Sequence, residues 1–295
     1  MNNTLERLSL PIREFSQRIK TRAIETVIFH HKPKAPEPSP QSVWERFPEL
    51  KEIPVDRFPK HIFIIPDGNR RSARERGQES IEGHVAGYRK VMEVLEVMHE
   101  LPVDMVTIWA FSDHNWGRPE SEKANLMSLF GTALTENTPK FMENNVRFTT
   151  IGRKDRIPKE LAEKFERTEE LTKENTGQTV CIAIDFGGED HEERVVKQSV
   201  IDGVALGRDN PELTPEEIAD LFDQKKIRSF YDGEGKIPAA DLIMRTSEKR
   251  TSDPGFLEGA ETELWFIDEY LPNSEVQDFI NGIVYFASVE RRFGK

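Results

Sequence analysis

From His61 onward, short apolar runs rich in β-formers alternate with longer stretches of helical spacing, and this alternation restricts the chain to a parallel sheet with helices on its faces. The runs His61–Ile65, Met105–Ala110, Val146–Ile151, Thr179–Asp185, Leu242–Arg245 and Leu264–Ile267 read as strands. Helical patterns fall between them at about 83–100, 119–143, 158–175, 188–206 and 275–291, with Pro119, Pro158 and Pro215 near helix starts. The polar stretch Asp202 to Asp232 reads as surface helix or loop, and no internal repeat is found. The expected class is α/β, with a mostly parallel central sheet flanked by helices.

The first sixty residues differ from the rest: they hold 8 of the 18 prolines. Ile12, Phe15, Ile19, Ala23 and Val27 recur at helical spacing, and the proline-rich run from Lys32 to Pro40 excludes helix and sheet. A boundary is therefore expected near Pro59, separating an N-terminal extension, 1–58, from a main domain, 59–295. The extension reads as a helix packed on the main domain or on a partner chain, or as one lying on a membrane surface, the last weakened by Glu14 and Glu25.

Charge and hydropathy narrow the class of function. A net charge of −12 argues against general nucleic-acid binding. Apolar runs such as Val103 to Phe111 fall far short of the roughly 18 residues that span a bilayer. A cytoplasmic protein is expected. The single cysteine, Cys181, sits inside the apolar run Val180 to Ile184 and reads as a buried structural thiol, so no disulfide forms within one chain.

Three constellations stand at strand ends, where open α/β sheets bind ligands. The first is Asp67-Gly68-Asn69-Arg70-Arg71 after the first strand. Gly68 permits close approach of backbone to ligand, and backbone N–H groups with two guanidinium groups suit an anion with several oxygens. An acid beside such an anion calls for a cation, and Mg²⁺ held by carboxylate and diphosphate is the natural one. A surface Asp-Gly-Asn turn is the plain alternative; a phosphatase-type nucleophile is another, although position 69 is Asn where a second acid is usual. The second constellation, Trp109 to Pro119, contains Ser112, Asn115, Trp116 and Arg118. Asn115 can orient a water or a substrate hydrogen, and Arg118 can pair with an anion. His114 reads as a solvated loop residue. The third, Asp241 to Ser252, offers Arg245, Arg250 and Ser252 as a diphosphate-sized set of donors, with Glu263 beginning a later strand.

Asp67-Gly-Asn-Arg-Arg71, Gly83-His84 with Ala86-Gly87, Ala110-Phe-Ser with Asn115-Trp116 and Arg118-Pro119, Asn175-Thr-Gly177, Phe186-Gly-Gly188, Asp241-Leu-Ile with Arg245-Thr246, Thr262-Glu263-Leu and Arg291-Arg-Phe-Gly294 follow one another in order. The ordered set resembles the cis-prenyltransferase family of undecaprenyl diphosphate synthase type, from about His61 to Gly294. The resemblance implies a parallel sheet with a hydrophobic product tunnel, and condensation of isopentenyl diphosphate with an allylic prenyl diphosphate to give a cis double bond. It implies that Asp67 assists diphosphate departure and binds Mg²⁺, while Gly68, Asn69, Arg70, Arg71 and His84 hold the allylic diphosphate. Arg245, Arg250 and Ser252 would hold isopentenyl diphosphate. Asn115 would take part in proton removal, and Ser112, Trp116 and Arg118 would shape the site. Glu263 would stand near the metal, offered by the partner subunit of a homodimer. The tunnel wall is expected from the helices at 83–100 and 119–143, with Val91, Val94, Leu95, Leu126, Leu129 and Phe130 as candidates.

Several positions depart from the family pattern. Arg70 stands where glycine is usual, Ser72 where tryptophan is usual, Ser80 where an arginine is common and His114 where glutamate is common. The loop after Arg245 is one residue shorter than usual. Two further readings follow: a non-catalytic partner subunit, which would be expected to lose the acid and arginines retained here, and an atypical synthase making short or branched products.

Overall fold

A computed structural model describes residues 41–220 and 237–290. The amphipathic stretch at 12–27, the proline-rich run at 32–40, the 221–232 part of the polar stretch and the string at 291–294 lie outside the described residues. Six strands, β1 (His61–Ile65), β2 (Met105–Ser112), β3 (Arg147–Gly152), β4 (Thr179–Phe186), β5 (Ala240–Thr246) and β6 (Glu258–Ile267), form one sheet in the order β3-β4-β2-β1-β5-β6. Every pairing is parallel. β1 lies mid-sheet and is buried at all its positions, as expected of an apolar run covered on both faces.

Around the sheet run α1 (Asn69–Glu75), α2 (Ser80–His99), α3 (Glu120–Glu143), α4 (Lys159–Thr172), α5 (Gly188–Asp209), α6 (Pro215–Asp220) and α7 (Val276–Ser288). Strand alternation sorts the core onto two faces. Ile62, Ile64, Leu242 and Met244 pack with α2 and α7, whereas Phe63, Cys181, Ala183 and Ile243 pack together on the other face. Cys181 is fully buried, as its apolar setting predicts.

The boundary expected near Pro59 is corrected by the residues just before it. Val43, Leu50 and Phe58 are at most 2% exposed and belong to the same core cluster as Ile62, Met244 and Phe279. The prolines here mostly open 3-10 turns, Pro48–Glu52 and, after Pro54, Val55–Arg57. Proline is tolerated in a first helical turn, where its missing N–H has no partner to lose. The described residues 41–58 are thus part of the main fold.

Two buried histidines tie the fold to pH. His61 bonds Pro238 O through Nδ1 at 2.9 Å and Thr107 Oγ1 through Nε2 at 2.8 Å. Burial pulls it down to about 4, against the hydrogen bonds at Pro238 and Ala239 and the charge of Asp241. His191, edge-on to Phe186 and Phe256, is pulled to about 4 by burial and Arg194, against Asp190 and Asp253. An unfolded imidazole takes its proton near 6.5, so between 6.5 and 4 the unfolded chain holds more protons, and stability is lost as pH falls through that window. At about 1.4 kcal/mol per pH unit, the window is worth roughly 3 kcal/mol for each ring. The urea midpoint should therefore drop between pH 7 and pH 4.5, and His61→Asn should show a visibly smaller drop. An equal drop in the variant would remove His61 from the cause.

Candidate active site

β1 ends in Pro66 and Asp67, and the end of β5 fixes their path. The Asp67 N–H donates to Thr246 Oγ1 at 2.9 Å, and the same hydroxyl donates to Asp67 O at 2.7 Å. Gly68 then turns the chain with φ of +97°, and a Cβ there would lie 2.7 Å from the Tyr270 ring, so both conformation and space require glycine. α1 starts at once, which places Arg71 one turn beyond Asp67.

The Asp67 carboxylate joins two arginines. Oδ1 accepts from the Gly68 N–H at 2.6 Å and pairs with Arg71 Nη2 at 3.0 Å, while Oδ2 accepts from Arg245 Nη2 at 2.8 Å. Glu248 repeats the arrangement: Oε1 meets Arg71 Nη1 at 2.9 Å, and Oε2 meets Arg245 Nη2 at 3.0 Å as well as Arg250. Asp67, Arg71, Glu248 and Arg245 therefore close a ring of alternating charge. Burial alone would raise the Asp67 carboxyl, but the Arg245 hydrogen bond, the Gly68 N–H and Arg71 outweigh it and hold the group below the usual carboxylate value. Arg245 is 4% exposed, and its Nη1 also donates to Arg250 O at 2.8 Å and to Ser252 Oγ at 2.6 Å.

Two cavities of similar size meet at this ring. One, of about 650 Å³, is lined by Gly68, Asn69, Arg70, Arg71, Ser80 and His84 among others. The other, of about 630 Å³, is lined by Ser112, Asn115, Arg245, Arg250 and Ser252 among others. Asp67, Arg118 and Glu248 line both. The two groups of anion-binding residues expected from sequence are thus brought together in themselves and kept apart from each other. Trp116 lines neither cavity, and its indole N–H is bonded to Asp185. His114 is an exposed loop residue bonded to Asp113 and borders the second cavity.

Sequence reasoning assigned no role to Glu248 or Glu122. Glu122, in the first turn of α3, is buried with Arg118 at 3.3 Å, Arg70 at 3.4 Å and His84 at 3.6 Å, the last too long for a hydrogen bond. The nearness of His84, then Arg118 and Arg70, holds its carboxyl below the usual range despite burial. Burial lowers His84. Asn69 Oδ1, Ser80 Oγ and His84 Nε2, which line the first cavity, and Glu122 Oε1 behind them are buried without a hydrogen bond, so this wall keeps polar capacity in hand. The available signal was an acid four residues after Arg118 and another midway between Arg245 and Arg250.

A third, apolar cavity of about 140 Å³ lies between α2, α3 and the sheet, and shares Pro66, Asn69 and His84 with the first. Val91, Leu95, Leu126, Leu129 and Phe130 line it, as expected from sequence; Val94 does not, being turned into the main core at 1% exposure. Within a single chain Glu263 stands apart from the site, and its expected place near the metal of a partner subunit is not reached from its own chain. It sits on edge strand β6, accepts a bond from Tyr285 OH at 3.0 Å and lines neither anion cavity. The parallel pairing of β6 opposes Glu263 to Leu242, well back from the strand end that carries Arg245. Among the described residues no group of three or more His, Cys, Asp or Glu is placed to hold a metal. Asp67, bordering both cavities, fits the sparser pattern of a Mg²⁺ held by one or two carboxylates and the substrate's own phosphates.

A parallel sheet whose strand ends carry two arginine-lined cavities around a ring of two carboxylates and two arginines, with an apolar cavity leading off, fits an enzyme for diphosphate esters with hydrophobic tails. The family model "Putative undecaprenyl diphosphate synthase" matches residues 65–294. The chain belongs to the undecaprenyl diphosphate synthase family and is a prenyltransferase. It is 36% identical over 241 residues to the Ditrans,polycis-undecaprenyl-diphosphate synthase ((2E,6E)-farnesyl-diphosphate specific) of Vibrio vulnificus, covering 81% of this chain and 92% of that one. It is 33% identical over 250 residues to Isoprenyl transferase 2 of Corynebacterium glutamicum, covering 83% and 98%. The crystal structure of lavandulyl diphosphate synthase from Lavandula x intermedia in complex with dimethylallyl diphosphate superposes with a TM-score of 0.72 at 25% identity, covering 81% of this chain and all of that one.

Proposed function

We infer that the chain condenses isopentenyl diphosphate with an allylic prenyl diphosphate, releasing diphosphate and forming a cis double bond. The observation that carries this reading is the Asp67 carboxylate, paired with Arg71 on one oxygen and with Arg245 on the other, at the wall common to two arginine-lined cavities. The allylic diphosphate belongs in the first, where Arg70 and Arg71 neutralise the leaving group and His84 can hydrogen-bond to it. Isopentenyl diphosphate belongs in the second, held by Arg245, Arg250 and Ser252. Asn115 borders that cavity and would orient the hydrogen lost on condensation. Aligning two apolar tails and stabilising a departing diphosphate are proximity and electrostatic contributions. The residue that would hold Mg²⁺ is Asp67; the ion would supply Lewis-acid neutralisation of diphosphate charge. The apolar cavity would take the growing tail, so it is the candidate product tunnel.

Purified protein given isopentenyl diphosphate, farnesyl diphosphate and Mg²⁺ should make a Z-prenyl diphosphate, and EDTA should stop it. Full turnover without divalent cation would reject the metal, and no elongated product would reject the condensation. Sizing the product also separates chain elongation from the branched condensation suggested by the lavandulyl-type neighbour and by Ser72 and His114. The retained Asp67, Arg245 and Arg250 stand against a non-catalytic partner subunit.

The same reading includes a homodimer. Val196, Val200, Ile201 and Val204 on α5 are each about 60% exposed, an apolar stripe at helical spacing, and β6 is a sheet edge. The start of α5 meets the turn into β6 at Gly188 and Gly255. A second copy seated on this face would cover the stripe and bring Glu263 toward the neighbouring site. Val200→Glu with Val204→Glu should therefore halve the mass measured by light scattering; an unchanged mass would place any dimer elsewhere. No described helix is long and apolar enough to cross a membrane, and peripheral membrane contact in the cytoplasm completes the proposal.

A further inference from the structure

Asp185 is a charged side chain buried completely, one residue before the end of β4, with φ of +47°. Aspartate tolerates this left-handed conformation better than most residues, yet it still costs free energy that the surroundings must offset. Arg156, in the loop after β3, binds the carboxylate in bidentate fashion, Nε to Oδ2 at 2.7 Å and Nη2 to Oδ1 at 2.5 Å. The indole N–H of Trp116 donates to Oδ1 at 2.7 Å. Asp185 lines neither anion cavity, and no step of the condensation uses it directly.

What it holds is the turn Asp113–Gly117, which carries Asn115. Trp116 meets Phe111 edge-on at 5.2 Å, and its carbonyl accepts a bond from Lys123 Nζ at 3.1 Å. Asn115 Oδ1 accepts from the Ser112 N–H at 3.2 Å. Five residues of 3-10 helix have little rigidity of their own. A desolvated carboxylate whose charge is matched by a guanidinium makes a strong, directed acceptor, and losing that match would leave a buried charge unpaired.

We propose that Asp185, gripped in bidentate fashion by Arg156, is a positioning residue that acts through Trp116 to fix Asn115 against the second cavity, and so governs the rate of condensation rather than the affinity for either diphosphate. The proposal rests on the condensation reading. Misplacing a reacting group by about 1 Å can cost on the order of a hundredfold. The arginines that hold the diphosphates do not touch Asp185, so their binding should persist.

The test compares Asp185→Asn, Trp116→Phe and the double variant in kcat and in KM for isopentenyl and farnesyl diphosphates, with the Trp116 indole N–H followed by nitrogen-15 NMR. Each single change should lower kcat about ten- to a hundredfold with both KM values within about threefold, and the double variant should be no slower than the worse single. Exchange of the indole proton should quicken at least tenfold in Asp185→Asn. Arg156→Gln, at a partly exposed position, should shift the same resonance and lower kcat in the same direction, which keeps the proposal testable if Asp185→Asn misfolds. Losses that multiply in the double variant, losses confined to KM, or an unaltered indole proton would each overturn it. If the wild-type protein condenses nothing, the functional reading fails, while the indole measurement still decides the clamp.

Discussion

Asp67→Ala should fold like the wild type and condense its substrates at least about a thousandfold more slowly. Its backbone, not its side chain, makes the two bonds to Thr246 that join β1 to β5, so the strand junction survives the change. What disappears is one of the two carboxylates shared by both cavities, the one between Arg71 and Arg245, and with it the group that would hold Mg²⁺ beside the leaving diphosphate. Loss of a preorganised electrostatic contact typically costs about 3–4 kcal/mol in the transition state, and loss of a metal's grip adds to that. The measurement is the initial rate with labelled isopentenyl diphosphate, alongside thermal melting to show that the fold persists. A rate within tenfold of wild type, in a protein of unchanged melting temperature, would remove Asp67 from its place at the centre of the reaction.

Arg245→Ala should raise the KM for isopentenyl diphosphate far more than that for the allylic primer, with kcat/KM for the former down ten- to a hundredfold or more. Charge-assisted bonds to a diphosphate are worth roughly 1.5–3 kcal/mol each, which sets that scale. Arg245 is buried and also neutralises Asp67 and Glu248, so part of its loss would reach stability. Arg250→Ala separates the two effects, because its side chain is 64% exposed and little packing goes with it. It should show the same substrate preference without a lowered melting temperature. Arg71→Ala should show the reverse preference, since Arg71 lines only the first cavity. Equal effects of all three on both substrates would contradict the division into two cavities.

The strands and long helices were legible because each is apolar at a regular period, and the grouping of Arg70 and Arg71 apart from Arg245, Arg250 and Ser252 followed from their different strand ends, whereas His84, inside a helix, joined the first group only through the family resemblance. α1 was not legible as a helix: Asn69 to Glu75 has no apolar stripe, and the turn at Gly68 drew attention to a ligand cradle instead. Proline content misplaced the edge of the main fold, because prolines that open 3-10 turns and prolines that break structure look the same in a sequence. Glu263 carried no mark of the pairing register that sets it away from Asp67. Glu122 and Glu248 were visible as acids among arginines, but only distances show that each is the counter-charge on which several guanidinium groups converge.

β1 pairs with β5, and Asp67, just beyond β1, bonds Arg245 at the end of β5 although the two stand 178 positions apart in the chain. Such pairing is entropically expensive to nucleate and slow to form. During synthesis, β1 and β2 emerge and can pair long before β5 exists, leaving one side of a strand that is apolar after His61 without its neighbour. An unpaired strand edge of that kind is prone to association with other chains, so this protein should depend on chaperones during translation more than a hairpin-built protein of the same size. The site itself is completed only when β5 inserts, and a nascent chain short of Arg245 has the arginines of the first cavity but not Arg245 and Arg250 of the second.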